Sequence, residues 1–270
     1  MEDLAGKTVI ITGASAGIGA ACAKAFASRG ANLVLVARQE DKLKLFSEQM
    51  MKQTKVLGIS MDVADMDACE SVLNQAENAF GTVNMLVNNA GMHERGDLEG
   101  IDASAVAQMV DVNMRAPLFL SAAVIPYMRR AGGGAIVMVG SLAGLAPLQG
   151  AATYSATKAG LRAFTYALAD EMRGSAINVG VVSPGPVDTG FIMENIDDVE
   201  DIVFSQPMST AEDVAEAVMT LISGNRSEIA MPYISGKLAT ISYNFPAIRR
   251  LLRPTLYAMG RKNKRKYKHK

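Results

Sequence analysis

The sequence predicts an α/β fold with a doubly wound parallel sheet. Short apolar runs rich in Val, Ile and Leu alternate with longer segments of helical periodicity over residues 7–185. The apolar runs are continuous instead of alternating with polar residues, which is typical of strands that helices cover on both faces. The two patterns together indicate parallel strands joined by helical crossovers.

The strands and helices can be assigned in chain order. Residues 7–13 (KTVIITG) form a β-branched run that ends in glycine, and the helical spacing over 20–31 stops at Gly30. The same alternation predicts further strands at 32–38, 55–63, 84–91, 134–141 and 177–185. It predicts the intervening helices at 41–51, 66–81 and 102–130, and one more that carries Tyr154.

Length and composition favour a single domain. The chain has 270 residues, of which 49% are apolar and 20% charged, and it is long enough to bury one large core. The first residues lack the pattern of a signal peptide, and no apolar stretch reaches the roughly 18 residues of a membrane span. Cys22 and Cys69 lie in helical segments without a metal-like cluster, so we expect buried thiols, no metal and a cytoplasmic location.

The net charge of zero conceals a basic C-terminal segment. Residues 1–228 contain 16 Lys and Arg against 27 Asp and Glu, whereas residues 229–270 contain 11 Lys and Arg and no acid. We therefore divide the chain into an α/β domain, 1–228, and a basic amphipathic extension, 229–270. Apolar residues at helical spacing followed by a lysine cluster predict peripheral association of the extension with an anionic membrane surface.

Three other interpretations of the extension remain open. A run of basic residues is often a solvated chain end, and the apolar positions can also pack against a second subunit. Nucleic acid is the least favoured partner, because only Tyr257 and Tyr267 offer rings on which bases can stack.

A glycine-rich turn follows the first strand. In TGASAGIG, residues 12–19, Gly13 permits a tight exit from the strand, Gly17 lets the backbone approach a pyrophosphate, and Gly19 allows close helix packing. The turn lies between a predicted strand and a predicted helix, which is the context that dinucleotide binding requires. A glycine turn can also serve as a turn only.

The end of the second strand indicates which dinucleotide is bound. Arg38 lies about twenty residues after the glycines, where NAD-binding proteins place an acid and NADP-binding proteins an arginine for the 2′-phosphate. We therefore predict NADP(H), although Glu40 lies close by in the sequence.

The stretch AATYSATKAG, residues 151–160, places Tyr154 four residues before Lys158. On a helix these two side chains are neighbours on one face. A free tyrosine titrates near pH 10, and a lysine cation beside it favours the phenolate and lowers its pKa. The pair thus has the composition of a general acid–base, while a half-buried tyrosine packed on a lysine stem is the simpler alternative.

Several short motifs together resemble those of the short-chain dehydrogenase/reductase family. They are the glycine turn 12–19, Asp62-Val63, Asn88-Asn89-Ala90-Gly91, Asn113, Ser141, the pair Tyr154 and Lys158, and residues 184–189 (PGPVDT). The resemblance extends over residues 5 to about 225. It implies a Rossmann-type sheet, an oxidoreductase activity that uses NAD(H) or NADP(H), and a homodimer or homotetramer.

The resemblance also implies roles for individual residues. Tyr154 would act as general acid/base, Lys158 would bind the nicotinamide ribose, Ser141 would hold the substrate oxygen, and Asn113 would hold a water in a proton relay. Ser141 can alternatively cap the turn after its strand, and Asn113 can satisfy a helix kink. The full set of predicted cofactor contacts is Gly13, Ser15, Gly17, Ile18, Gly19, Arg38, Asp62, Val63, Asn89, Ala90, Gly91, Tyr154, Lys158, Pro184, Gly185, Val187 and Thr189.

Two positions qualify these cofactor contacts. Some NADP-using members of the family carry a basic residue immediately before the second motif glycine, and this chain has Ala16 there. Arg38 would then act with Ser15 alone. Asn88 has a structural alternative, since it can stabilise the central sheet.

The segment 190–209 occupies the place of the family's variable substrate loop. It is rich in Ile, Val, Phe and Met, which suits an apolar ligand, although a loop packed on its own domain would have the same composition. We therefore predict an NADP(H)-dependent enzyme that interconverts a ketone or aldehyde and an alcohol on a lipid-, steroid- or retinoid-like molecule. The alternative is a non-catalytic NADP(H)-binding regulator whose basic extension binds a protein or nucleic acid.

Overall fold

The computed structural model describes residues 3–194, 196–224 and 226–268. Within these residues, seven parallel strands form one sheet in the order β3-β2-β1-β4-β5-β6-β7. The strands are β1 (Thr8–Thr12), β2 (Asn32–Ala37), β3 (Val56–Ser60), β4 (Met85–Asn88), β5 (Gly134–Val139), β6 (Ile177–Pro184) and β7 (Glu228–Met231). The predicted doubly wound parallel sheet is therefore confirmed.

Helices cover both faces of the sheet. They are α1 (Gly17–Ala27), α2 (Glu40–Met50), α3 (Met66–Phe80), α4 (Ala103–Val110), α5 (Ala116–Arg130), α6 (Ala152–Glu171), α7 (Gly190–Met193), α8 (Ala211–Ile222), α9 (Tyr233–Asn244) and α10 (Pro246–Tyr267). Along β1, Val9 and Ile11 belong to the core under α1 and α8, whereas Ile10 belongs to the core under α3 and α5. Successive strand residues thus face opposite cores, which explains the continuous apolar runs.

Two elements differ from the sequence prediction. The single helix expected over 102–130 is interrupted by a π-helical turn, Asp111–Arg115, between α4 and α5. The strand β7 was not predicted at all, and the boundary predicted between residues 228 and 229 falls inside it. The two cysteines are buried free thiols, as predicted.

No helix in the described part of the chain combines the length and the apolar character of a membrane span. The C-terminal segment instead forms α9 and α10, and α10 packs against a 3₁₀ turn, Asp201–Ser205, of the substrate loop. The extension and the loop are thereby brought together at the end of the sheet where the strands terminate.

Candidate active site

A cavity of about 820 Å³ lies at the carboxyl ends of the strands. Open parallel α/β sheets bind their ligands at this edge, where the order of strands reverses. Most of the residues predicted from the sequence line it, namely Gly13, Ser15, Gly17, Ile18, Arg38, Asp62, Val63, Asn89, Ala90, Gly91, Ser141, Tyr154, Lys158, Pro184, Gly185, Val187 and Thr189. Gly19 and Asn113 are not part of the lining.

The glycine turn has the geometry that its glycines were expected to provide. Gly13 and Gly17 have φ values of 64° and 51°, in the left-handed region that favours glycine. A Cβ on Gly17 would lie 3.2 Å from the Thr189 side chain, so the turn closes directly against the loop that follows β6. A Cβ on Gly19 would lie 2.2 Å from the Gly13 carbonyl oxygen, which makes Gly19 a packing residue.

Hydrogen bonds from the end of β4 hold the glycine turn in place. The Asn89 side chain donates to the carbonyl oxygens of Thr12 and Gly13 at 2.9 and 3.1 Å. In return the Thr12 hydroxyl accepts from the backbone N–H groups of Asn89 and Ala90, both at 3.0 Å. Asn89 therefore shapes the turn, and Thr12 is a site residue that the sequence analysis did not identify.

The side chain of Asn88, the residue before Asn89, is directed toward α5. Its side-chain amide donates to the Ser121 hydroxyl at 3.1 Å, on α5. Asn88 is buried and does not line the cavity. The structure thus places it in the structural position that was the alternative interpretation of this residue.

Two cations line the cavity at the end of β2. Arg38 is well exposed and forms a long ion pair with Asp62, whose carboxylate lies 3.9 Å away. Lys42, in the first turn of α2, lines the same region and was not identified from the sequence. Glu40 does not line the cavity. The positive charges, the glycine backbone and the N-terminus of α1 together suit a phosphate-bearing dinucleotide.

The tyrosine and lysine of the sequence motif project from the first turns of α6. Lys158 is buried, and its Nζ lies 5.7 Å from the centre of the Tyr154 ring and donates to the Val139 carbonyl at 2.8 Å. Ser141 follows β5, its hydroxyl accepts from the Ala143 N–H at 3.1 Å, and its interaction with the phenol lowers the pKa of Tyr154. Ser141 therefore caps its turn and also reaches the phenol.

Two further side chains surround the phenol, and neither was identified from the sequence. The His93 ring stacks on the Tyr154 ring with a centroid distance of 4.2 Å and an interplanar angle of 13°. Arg95 donates to the Phe191 carbonyl at 3.3 Å, and its guanidinium lies 5.7 Å from the centre of the Phe191 ring. His93 fixes the plane of the phenol, while Arg95 connects it to the substrate loop.

The electrostatics of the site follow from burial and these cations. Burial, reinforced by Arg95 and Lys158, lowers the pKa of His93 to about 3, so its imidazole is neutral at physiological pH. Burial raises the pKa of Tyr154, against the opposing effects of the Ser141 hydrogen bond and the Arg95 charge. Tyr154 is consequently a protonated phenol at neutral pH.

Burial lowers the pKa of Lys158 to about 8. A lysine with this pKa has lost most of its charge at the high pH at which Tyr154 titrates. Ser141 and Arg95 are therefore the groups that lower the pKa of Tyr154 here, and the effect predicted for Lys158 stays a prediction.

Asn113 lies in the π-helical turn, behind the cavity wall. Its side chain accepts from the Met92 N–H and donates to the Met92 carbonyl, both at 2.8 Å. A Cβ on Gly91 would lie 3.4 Å from Asn113 Oδ1 and 3.7 Å from Lys158 Nζ, so Asn113 approaches Lys158 across this glycine. The Asn113 side chain anchors the loop after β4, and its relay role remains a prediction.

The lowered pKa of Lys158 gives a testable stability prediction. The folded state releases the lysine proton near pH 8 and the unfolded state near 10.5, so this group opposes folding below pH 8 and progressively less up to 10.5. We expect Lys158→Met to raise the melting temperature at pH 7 and to raise it less at pH 10. Thermal unfolding of the variant and the wild-type protein at pH 7 and pH 10 measures this difference. A melting temperature that changes by the same amount at the two pH values would contradict the prediction.

Fold and cavity together define the chain as an α/β protein with a dinucleotide-type site and a tyrosine–lysine pair. A family comparison agrees, because the family described as "short chain dehydrogenase" matches residues 7–200. The chain belongs to this family, which consists of oxidoreductases that bind NAD(P). The resemblance inferred from the motifs is thereby confirmed.

Individual relatives extend the comparison. The chain is 36% identical to sulfoacetaldehyde reductase 2 of Chromohalobacter salexigens over 68% of its length and 74% of the relative's. It is 34% identical to the 3-oxoacyl-(acyl-carrier-protein) reductase FabG of Salmonella typhimurium over 86% of its length and 94% of the relative's. A short-chain type dehydrogenase/reductase from Mycobacterium marinum superposes with a TM-score of 0.78 at 27% identity, covering 86% of this chain and 96% of that one.

Proposed function

We propose that this protein is an NADP(H)-dependent oxidoreductase that interconverts a ketone or aldehyde and the corresponding alcohol on an apolar substrate. The observation that carries the proposal is that Tyr154, Ser141 and Lys158 line the same cavity as the glycine turn. This cavity continues past the phenol to apolar side chains of the substrate loop and of α9 and α10.

The chemistry assigns a task to each polar side chain. A bound nicotinamide cofactor would supply the hydride. Ser141 donates a hydrogen bond to the carbonyl oxygen, and Tyr154 gives its phenolic proton to the same oxygen as negative charge develops there. Because burial keeps Tyr154 protonated at neutral pH, its phenol holds the proton that carbonyl reduction requires. Lys158 binds the ribose hydroxyls and stabilises the phenolate that remains.

The preference for NADP(H) rests on Arg38 and Lys42. A 2′-phosphate carries up to two negative charges, which a guanidinium meets with paired hydrogen bonds and an ammonium as a point charge. No acid at the end of β2 lines this part of the cavity, where NAD-binding proteins place one for the 2′-hydroxyl. Asp62 pairs only loosely with Arg38 and leaves it exposed.

The names of the relatives support the reaction class. Two of them are called reductases, one of sulfoacetaldehyde and one of a 3-oxoacyl-(acyl-carrier-protein), and both names denote a carbonyl group. We extend only the reaction class to this chain. Like other members of the family it would act as a homodimer or homotetramer. The alternative of a non-catalytic regulator is less well supported, because such a protein has no need of Ser141, Tyr154 and Lys158 in one cavity.

An assay tests the proposal directly. The purified protein is mixed with NADPH and a panel of apolar aldehydes and ketones, and the oxidation of NADPH is followed. We expect turnover with at least one apolar carbonyl compound and weaker turnover with NADH. Absence of turnover across the panel in both directions, with NADPH bound, would overturn the proposal.

We also propose that α9 and the first half of α10 rest on an anionic membrane surface. Large apolar side chains that do not line the cavity are exposed there, among them Tyr233, Ile234, Tyr243, Phe245 and Leu251. Arg249, Arg250 and Arg253 lie in the same segment, and none of them pairs with a carboxylate of the described residues. Apolar side chains flanked by unpaired cations suit anionic lipid.

Leu251 gives a sharp test of the membrane proposal, because it is 78% exposed. We expect Leu251→Asp to reduce sedimentation with anionic vesicles, and Leu45→Asp, a matched change at a 68% exposed position on α2, to leave it unchanged. Equal sedimentation of the two variants would contradict membrane association. A change of oligomeric state in Leu251→Asp would assign the surface to a second copy of the chain instead.

A further inference from the structure

The C-terminal helix α10 approaches the substrate loop unusually closely at one residue. Gly260 is the buried residue of this helix, and a Cβ placed on it would lie 1.8 Å from the Asp201 carbonyl oxygen and 2.6 Å from the Asp201 carbonyl carbon. Only a residue without a side chain permits this approach of helix backbone to loop backbone. The ring of Phe204, fully buried in the loop, also packs near the Tyr267 ring, with 6.0 Å between the ring centroids.

The basic face of α10 is paired with acids of the substrate loop. Arg261 forms an ion pair with Asp201 at 3.0 Å, and Lys268 pairs with Asp197. Lys264 is 12% exposed and makes three contacts, donating to the carbonyl oxygens of Asp197 at 3.0 Å and Val199 at 2.6 Å and facing the Asp201 carboxylate at 3.7 Å. Three basic residues of the C-terminal segment and two acids of the substrate loop thus join the two segments.

Hydrogen bonds reinforce the same contact. The Tyr257 hydroxyl donates to a carboxylate oxygen of Glu200 at 3.2 Å, and the Asn263 side chain donates to the Phe204 carbonyl at 3.1 Å. The charge-assisted contacts and the largely covered side chain of Lys264 make this a specific junction and not a collection of exposed ion pairs.

The other face of α10 is apolar and belongs to the cavity. Ile248, Leu252, Leu256 and Met259 recur at helical spacing and all line the cavity that contains Tyr154. Between the first and the last of them the helix rises about 16 Å. On the opposite side, Phe191, Ile202 and Val203 of the substrate loop line the same space.

We propose that α10 is the specificity-determining wall of the substrate site, held on the substrate loop by its basic face and selecting substrates with a long apolar chain. The inference rests on the proposed reductase function and adds the substrate class. A short carbonyl compound occupies the region around Tyr154 alone, whereas a long chain extends along Ile248, Leu252, Leu256 and Met259. Each methylene buried there strengthens binding about fourfold.

The test compares hexanal with tetradecanal in the full-length protein. We expect the wild-type KM to fall steeply from hexanal to tetradecanal. In Gly260→Ala the helix must move away from Asp201, although alanine favours a helix more than glycine does. We therefore expect the KM for tetradecanal to rise at least about tenfold and the KM and kcat for hexanal to stay within about twofold.

Lys264 and Lys262 provide a matched pair of variants. Lys264→Ala removes three contacts with the loop and should raise the KM for tetradecanal, whereas Lys262→Ala removes an exposed lysine on the same helix and should not. Melting curves establish that each variant is folded. Unchanged KM values for tetradecanal in both Gly260→Ala and Lys264→Ala, or an equal loss with hexanal, would overturn the inference while leaving the proposed function intact.

A binding readout separates this inference from the reductase activity itself. Tetradecanol should raise the melting temperature of the wild-type protein more than hexanol does, and Gly260→Ala should abolish the difference. If no carbonyl compound is reduced but this difference is found, the proposed function is wrong and the role of α10 in binding long apolar chains is supported. If the two alcohols raise the melting temperature of the wild-type protein equally, the proposed role of α10 is wrong.

Discussion

Replacing Tyr154 with Phe is expected to lower the rate of carbonyl reduction at least about 100-fold while leaving NADPH affinity within about twofold. The reason is that the phenolic proton is needed only in the chemical step, whereas the phenylalanine ring still fills the space and stacks on His93. The measurement is kcat from steady-state NADPH oxidation, together with the NADPH Kd from fluorescence titration.

Tyr243→Phe is the matched control, because Tyr243 is an exposed tyrosine of α9 that does not line the cavity. It should keep wild-type activity. A Tyr154→Phe protein that retains more than a few per cent of the wild-type kcat would show that another group delivers the proton. In that event the assignment of Tyr154 as general acid would be wrong, even with the family and the fold unchanged.

Replacing Arg38 with Asp is expected to reverse the coenzyme preference from NADPH to NADH. The substitution removes the guanidinium that faces a 2′-phosphate and supplies a carboxylate that can accept from a 2′-hydroxyl. We expect kcat/KM for NADPH to fall about 100-fold and kcat/KM for NADH to rise, since a bidentate pair of charged hydrogen bonds is lost. Both values are measured with the same carbonyl substrate.

Lys44→Asp makes the same change of charge on α2 at a position that does not line the cavity. It should leave the preference for NADPH intact, which separates a local contact from a general effect of charge. A wild-type protein that already uses NADH as efficiently as NADPH would contradict the assignment of Arg38. Lys42 would then be the next residue to test, because it lines the same part of the cavity.

The parts of the fold that the sequence predicts are those with strong local patterns. Six of the strands are continuous apolar runs, and the glycine turn combines a required backbone conformation with close packing against Asn89 and Thr189. The seventh strand, β7, has only four residues and begins with Glu228. Its carboxylate is compensated by Arg162 at 2.7 Å and by hydroxyl groups of Tyr166 and Ser183, partners that no local pattern reveals.

The candidate site shows the same division. Tyr154, Lys158 and Ser141 were predicted because motifs mark them, and the structure brings them together in one cavity. His93 and Arg95 follow the NNAG turn in an irregular loop, so their contacts with the phenol and the substrate loop depend on tertiary structure. The direction of the shift in the Tyr154 pKa likewise depends on burial, which composition does not predict.

The sequence predicts that the extension is a basic amphipathic segment. In the structure, three of its basic residues, Arg261, Lys264 and Lys268, form ion pairs with acids of the substrate loop. The opposite charges of the substrate loop and of α10 lie about sixty residues apart in the chain and pair only in the folded structure. A net charge that changes sign between two segments is the signal that could have indicated this junction. The unpaired arginines remain with the exposed apolar face of α9 and α10.

The most direct test of the reductase assignment is a hydride-transfer experiment with NADPH that carries deuterium at both C4 positions of the nicotinamide. The wild-type protein is incubated with tetradecanal, and the product is analysed by mass spectrometry. We predict tetradecanol with one deuterium on its carbinol carbon, and no labelled alcohol from Tyr154→Phe over the same time. Binding of NADPH without deuterium in the alcohol, for tetradecanal and for the other carbonyl compounds of the panel, would contradict the assignment of reductase activity.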